Sequence, residues 1–348
     1  MKTQASAVNQ NEPTTHDDSF VEIPVKLTKE ELVSLSRIDP LRSTLHIAAE
    51  WSMIIGAIAL CQRFWHPLLY LVVVAFIGAR QHALMILMHD GVHRRLYSNR
   101  KFNDWIAEIV LAWPNLISAR AYRINHFGHH RYLNTLEDPD WARRQGDDAW
   151  VFPKKVLDLG QMLLRDLSGL NAFRLLMLAR RLVSKDTGMK RSFIVVRYAF
   201  YTVLAIVIGF AGLTQPVLLY WVIPMFTWLI FIFRIRSIAE HSAIVGRDVA
   251  YAQTRTVYPT IFERIFLAPK NVNYHLEHHF FPSVPFYRLP ALHALLMNKA
   301  DFAESAHLTR SYLGVLKECL GGDDGATEPA ESVLPAFAME GAASSATD

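Results

Sequence analysis

The chain has 348 residues, 51% hydrophobic and 20% charged, with a formal net charge of +4. Its apolar residues gather into long runs, which argues for a membrane protein over a larger soluble core, and no basic stripe with stacking aromatics offers a nucleic-acid surface. Two cysteines, Cys61 and Cys319, argue against a disulfide framework and cannot form a four-cysteine zinc or iron–sulfur site, so any electrons needed must come from a separate protein.

Residues 1–45 form a polar N-terminal segment, expected to be disordered to about Val21 and without the short apolar core of a signal peptide. Within it, Thr28-Lys-Glu-Glu-Leu predicts a short capped helix leading to Pro40. The first apolar run goes from Ile47 to about Cys61 and extends to Trp65 if Arg63 snorkels. Pro67 opens the second run after a tight link. From Leu68 to Met88 a helix is about 30 Å long at ~1.5 Å per residue, roughly one hydrocarbon thickness. Arg80, Gln81 and His82 interrupt that length. Either they face the bundle or the helix projects beyond the lipid. Arg94, Arg95, Arg100 and Lys101 follow, as cytoplasmic flanks do.

Phe102 to Ser118 is apolar but broken by Asp104, Glu108 and Pro114, which predicts an interfacial or re-entrant piece. Between Trp150 and Arg181, Val156, Leu159, Leu163, Leu167 and Leu170 recur at helical spacing among Lys and Arg, which predicts helices on the membrane surface. Phe193–Leu213 and Val217–Phe233 are the third and fourth spans, joined by the uncharged turn Thr214-Gln-Pro. Arg234 and Arg236 close the fourth. The charge asymmetry puts both hairpin tips outside and both termini in the cytoplasm. Leu289 to Leu320 reads as one or two amphipathic helices. Residues 321–348 read as a disordered tail, leaving 46–320 as the membrane domain.

Fifteen histidines occur, and eight fall in three segments: His89 and His93; His126, His129 and His130; His275, His278 and His279. Spacings of i+3 and i+4 put imidazoles on one helix face, so His275, His278 and His279 are expected to converge on one point, and the two earlier segments offer the same kind of spacing. All three segments lie at expected membrane exits on one side. Imidazole suits iron, zinc, copper and nickel, and eight ligands exceed one four-coordinate zinc and suit two metals. His241, after the fourth span, is a plausible ninth. Asp90, Asp138, Asp140, Glu240 and Glu277 are candidates to orient the imidazole N–H groups. Asn271 either holds a metal-bound water or caps a helix. His16, His46, His66 and His293 are assigned no role, and Glu304 with His307 reads as a helix surface.

At these residues the chain resembles the membrane fatty acid desaturase superfamily. The likeness rests on His-x3-His at His89, His-x2-His-His at His126 and at His275, and the ending Asn-Val-Asn-Tyr-His-Leu-Glu-His-His-Phe-Phe-Pro, and it covers about residues 45 to 300. Ser237 stands where that family often carries Asn. The resemblance implies an all-α integral membrane fold, with four transmembrane helices in two hairpins under a cytosolic cap that holds two irons. It implies that the eight boxed histidines and His241 ligate iron, with O2 as co-substrate and a separate donor such as ferredoxin or cytochrome b5 with its reductase. It also implies hydrogen abstraction from an unactivated carbon of a fatty acyl or other lipid substrate. Desaturation is the commonest outcome. Hydroxylation, ketone formation and decarboxylation to a terminal alkene occur in relatives with the same boxes, so the fold narrows the reaction class but not the product. The expected location is a bacterial inner membrane, with the site on the cytoplasmic face. A membrane metal carrier is the alternative of another class, and it would need ligands across the bilayer midplane.

Overall fold

The computed structural model describes residues 23–172, 191–242, 251 and 254–320. The two expected tails, the end of the surface-helix region and part of the polar stretch after residue 242 lie outside the described residues.

Helix α1, Lys29–Leu35, starts where expected, with a capping box between Thr28 and Glu31. Among the described residues, four helices are long and apolar enough to cross a membrane. α2, Pro40–Arg63, begins earlier than the apolar run because Asp39 caps it through Arg42 N–H and Pro40 occupies its first turn. α3, Pro67–Val92, is capped by His66 and likewise opens on proline. Its 26 residues span about 39 Å at ~1.5 Å each, so it outreaches a ~30 Å hydrocarbon layer. α4 is Arg100–Trp105, α5 Ala119–Arg131, α6 Pro139–Arg144 and α7 Val156–Leu167. The third apolar helix, α8, is Arg191–Phe210, and the fourth, α9, is Thr214–His241.

α3 is the axis of the molecule. Two-thirds (67%) of its most apolar window is buried, against 6% for α8. α2, α5, α9 and the segment after α4 all pack on it. Two glycines permit the closest approaches. A Cβ on Gly78 would lie 2.7 Å from Trp228 Cβ, and one on Gly91 would lie 2.7 Å from Ala107 Cβ. Arg80, Gln81 and His82 are all buried, so they face the bundle. Gln81 donates to the carbonyl of Trp221 at 2.9 Å, and Arg236 donates to His82 Nε2 at 3.1 Å.

The broken stretch after Phe102 is helical but irregular. α4 runs into a π-helix at Ile106–Ala112 and a 3-10 turn at Trp113–Asn115. α9 is also interrupted, by a π-helix at Leu218–Val222 and a break at Thr227. The wider π turn frees carbonyls, and Gln81 takes the one at Trp221.

Two further differences concern the C-terminal third. The expected pair of amphipathic helices between Leu289 and Leu320 is three helices with a strand between: α12 Leu289–Leu296, α13 Ala300–Ser305, the strand Leu308–Arg310, and α14 Tyr312–Glu318. That strand pairs in parallel with Thr256–Tyr258, a small addition to an otherwise helical fold. The β-branched Thr256, Val257 and Thr309 suit this ladder. Two short helices precede it in this region, α10 Ile261–Phe266 and α11 His275–Phe280.

Candidate metal centre

The nine histidines singled out in the sequence come together, but not by segment. His89, His93, His126, His130 and His278 form one cluster, and His129, His241, His275 and His279 form another. Within each, the ligand atoms lie within 4.8 Å of one another. The expectation that His275, His278 and His279 converge on one point is therefore corrected, and the second box divides in the same way. On α5, His126 and His130 are one turn apart and face the first cluster, while His129 is rotated toward the second. On α11 the pair His275 and His279 faces the second cluster and His278 the first. Each of these helices thus stitches both clusters together. The rings of His130 and His279 stack across the boundary at 4.4 Å.

The donor atoms are arranged as a cation would require. In the first cluster His93, His126, His130 and His278 present Nε2 atoms in succession at 2.8, 3.0 and 3.1 Å. In the second, His275 Nε2 lies 3.2 Å from His241 Nε2 and 3.1 Å from His279 Nε2. Nitrogens bound at ~2.1 Å to one ion sit about 3.0–3.4 Å apart at neighbouring vertices, which matches these edges. A neutral imidazole carries one proton and one lone pair, so a metal satisfies all the inward-facing nitrogens at once. Burial, and next the charge neighbouring rings would carry, holds His93, His126, His275, His278 and His279 well below the usual imidazole range. Burial and His129 bring His130 down to about 3. The lone pairs are available at neutral pH, as metal binding requires.

The carboxylates divide. Asp138 lies 2.9 and 3.0 Å from His129 Nδ1 through its two oxygens. A carboxylate only accepts, so the proton sits on Nδ1 and the lone pair on Nε2. Burial works to raise the Asp138 carboxyl, but His129 and the N–H groups of Asp140 and Asn134 outweigh it and hold it below the usual range. Asp140 is more distant, 3.8 Å from the same nitrogen. Glu240 lies 3.6 Å from His275 Nδ1 and is paired with Arg236. Asp90 stands 3.9 Å from His89 Nδ1, beyond hydrogen-bond reach, and accepts instead from Phe286 N–H at 2.9 Å.

Two expected roles go elsewhere. Glu277 is fully buried but accepts from Thr256 and from His293 Nδ1, both at 2.5 Å. His293, given no role in the sequence, takes the Tyr258 hydroxyl on its other nitrogen at 2.8 Å. This chain ties α11 to the strand and to α12. Asn271 donates to the carbonyl of Phe286 at 3.0 Å, so it is a backbone clamp.

A family profile described as Fatty acid desaturase matches residues 64–311, which contain every histidine of both clusters. The chain belongs to the fatty acid desaturase family. It is 29% identical over 301 residues to the dihydrorhizobitoxine desaturase of Bradyrhizobium elkanii, covering 81% of this chain and 83% of that protein. It is also 29% identical over 92 residues to the sn-1 oleoyl-lipid 12-desaturase of Arthrospira platensis, covering 25% of this chain and 26% of that one. The protein is accordingly a desaturase-like oxidoreductase of the membrane. Its family implies a lipid substrate and usually an electron donor.

Several residues of this site have roles that the sequence did not assign to them. Glu108, fully buried in the π-helix, accepts from Trp113 Nε1 at 2.9 Å, Ser118 Oγ at 2.9 Å, Ala119 N–H at 3.1 Å and Arg120 N–H at 2.8 Å. It thereby holds the N-terminus of the histidine-bearing α5, where a negative charge is favoured. A cavity of about 70 Å³ opens against His89, His275 and His278, with Met85, Ile86, Phe233, Val272 and Leu289 as apolar wall. Lys270 and Arg236 also line it. The readable signal was an ionisable residue within an apolar run, such as Glu50, which marks function by default.

Proposed function

We propose that this protein is an O2-dependent di-iron desaturase that introduces a carbon–carbon double bond into a fatty acyl chain. In this reading His89, His93, His126, His130 and His278 hold one iron, and His129, His241, His275 and His279 hold the other. The observation that carries it is the sorting of nine imidazoles into two adjoining clusters beside one largely apolar cavity. Iron is favoured over other imidazole-binding metals by the family, and double-bond formation by the names of both relatives.

The reaction is –CH2–CH2– + O2 + 2e− + 2H+ → –CH=CH– + 2H2O. Two electrons come from the substrate and two from a separate donor such as ferredoxin or cytochrome b5 with its reductase. Bound irons supply the activation of O2. The protein supplies the rest. Asp138 fixes the orientation of His129. Arg236 and Glu240 brace the wall beside His275. Met85, Phe233 and Leu289 exclude water and hold the chain. The polypeptide is divided as a desaturase unit at 46–320, its first span reaching back to Pro40, with segments 1–45 and 321–348 flanking it. The four apolar helices form two hairpins in a bacterial inner membrane, and the helices that carry the clusters form a cytosolic cap.

The test is to purify the full chain with iron and assay it with reductant, O2 and an acyl substrate. Two irons per chain and a new double bond dependent on both reductant and O2 are expected. Tightly held iron without such turnover rejects the enzyme reading and favours a metal carrier.

A further inference from the structure

We propose that the substrate of this desaturase carries a free carboxylate that seats on Lys270, so that oxidation falls on the carbons next to it and not mid-chain. The inference rests on the desaturase reading above and names its substrate class.

Four observations converge. Glu50 of α2 is buried in the bundle and faces two cations, Arg80 Nη1 at 3.3 Å and Lys270 Nζ at 2.6 Å. One carboxylate thus answers two positive charges where water is excluded, and an uncompensated charge there is costly. An ammonium has three donors. Lys270 ion-pairs with Glu50 at 2.6 Å, lies 3.1 Å from His46 Nδ1 and lines the cavity, so its donors are not all committed to these two partners. The other charged groups on that wall are already engaged. Arg236 is paired with Glu240, and Asp90 accepts from Phe286 N–H. Finally, Lys270 and the adjacent Asn271 both have left-handed backbone, φ 57° and 59°, and the Asn271 side chain is bonded to Phe286. Strain of this kind is held where a side chain must be aimed.

The size of the cavity limits how far the attacked carbons can lie from the carboxylate. At about 70 Å³ it is roughly half of a ~150 Å³ cavity that takes benzene. A carboxylate on Lys270 and the histidines lining the same cavity therefore leave room for only a few carbons between them. An ester- or thioester-linked chain brings an uncharged carbonyl and a large head group, and it leaves the surplus charge unanswered.

Binding of radiolabelled dodecanoate and methyl dodecanoate to the iron-loaded full chain in lipid nanodiscs, corrected for empty nanodiscs, tests the seat without turnover. The acid is expected to bind at least about tenfold more tightly than the ester. Lys270→Met should erase that preference with iron content unchanged, and Lys270→Arg should keep it. Equal binding of acid and ester by the unsubstituted chain overturns the proposal, whatever the variants do. Turnover then separates the two readings. A 2- or 3-dodecenoate supports both. A one-carbon-shorter terminal alkene with CO2 (R–CH2–CH2–COOH + O2 + 2e− + 2H+ → R–CH=CH2 + CO2 + 2H2O) supports the seat and replaces the assigned product. A mid-chain double bond overturns the seat and leaves the desaturase standing. Preferential binding of the acid without any turnover does the reverse.

Discussion

His129 shows what a single carboxylate contributes to the centre. Its Nδ1–H is held between the two oxygens of Asp138, which fixes the ring and raises the basicity of Nε2. Asp138 also accepts from Asp140 N–H at 2.8 Å and caps α6. Asp138→Asn keeps the shape and the cap but removes the charge. Loss of such a partner weakens metal affinity about 10–100-fold, and the retained amide oxygen places this variant near the low end. Chelator competition should therefore strip one iron about tenfold more readily than the other. Two irons held as firmly as before would show that Asp138 is only a cap. The histidines themselves were legible, because i+3 and i+4 spacing is a local property of a helix. Their division between clusters was not, because it depends on how α5 and α11 are rotated against α3 and α9. The misassignment of Glu277 has the same origin. It sits among ligands in sequence, yet its partners Thr256 and His293 are distant in the chain.

The placement of α5 depends on the irregular element before it. A regular helix through Pro114 would lose the bond of the missing N–H and clash with the preceding turn. The π-helix and 3-10 turn absorb that break and bring Glu108 under the first residues of α5. Glu108→Ala leaves the donors of Trp113, Ser118, Ala119 and Arg120 without this acceptor. Each buried donor left unpaired costs ~1–3 kcal/mol, so a total loss of at least about 3 kcal/mol is expected, even if water reaches some of them. The purified variant should melt earlier and retain less iron, since His126, His129 and His130 all ride on this helix. An unchanged Tm and iron content would mean that Ser118 alone suffices as cap. The sequence marked this stretch as broken, through Glu108 and Pro114, but its π geometry has no periodic signature that a pattern can carry. Likewise Glu50, Arg80 and Lys270 belong to separate segments, and no spacing rule joins residues so far apart.

Across the whole molecule, the two clusters constrain how the chain threads the membrane. α3 delivers His89 and His93 from its C-terminal end, and α9 delivers His241 from its own. In the proposed topology the clusters adjoin, so two spanning helices whose C-terminal ends meet would leave the bilayer on the same face. In that proposal α2 and α8 would enter from that face, and the short links near Trp65 and Gly212 would lie on the other. The sign of the face comes from the basic flanks, and the structure refines which ones count. Arg236, taken in the sequence as a flank, is a wall residue paired with Glu240, and Arg234 bonds Asp166 at 2.9 Å. Arg94 bonds Asp104 at 3.3 Å, so Arg100, Lys101 and Arg191 remain beside the ends of α3 and α8, and in the proposed topology they would point those ends to the cytoplasm. Alkaline phosphatase inserted after Trp65 or Gly212 is therefore expected to be active in a bacterial host, and green fluorescent protein fused at either terminus to fluoresce. Active phosphatase at a terminus would place the histidine clusters outside the cell, away from any cytoplasmic electron donor. The assignment of ferredoxin or cytochrome b5 as reductant would then fail even if the irons were in place.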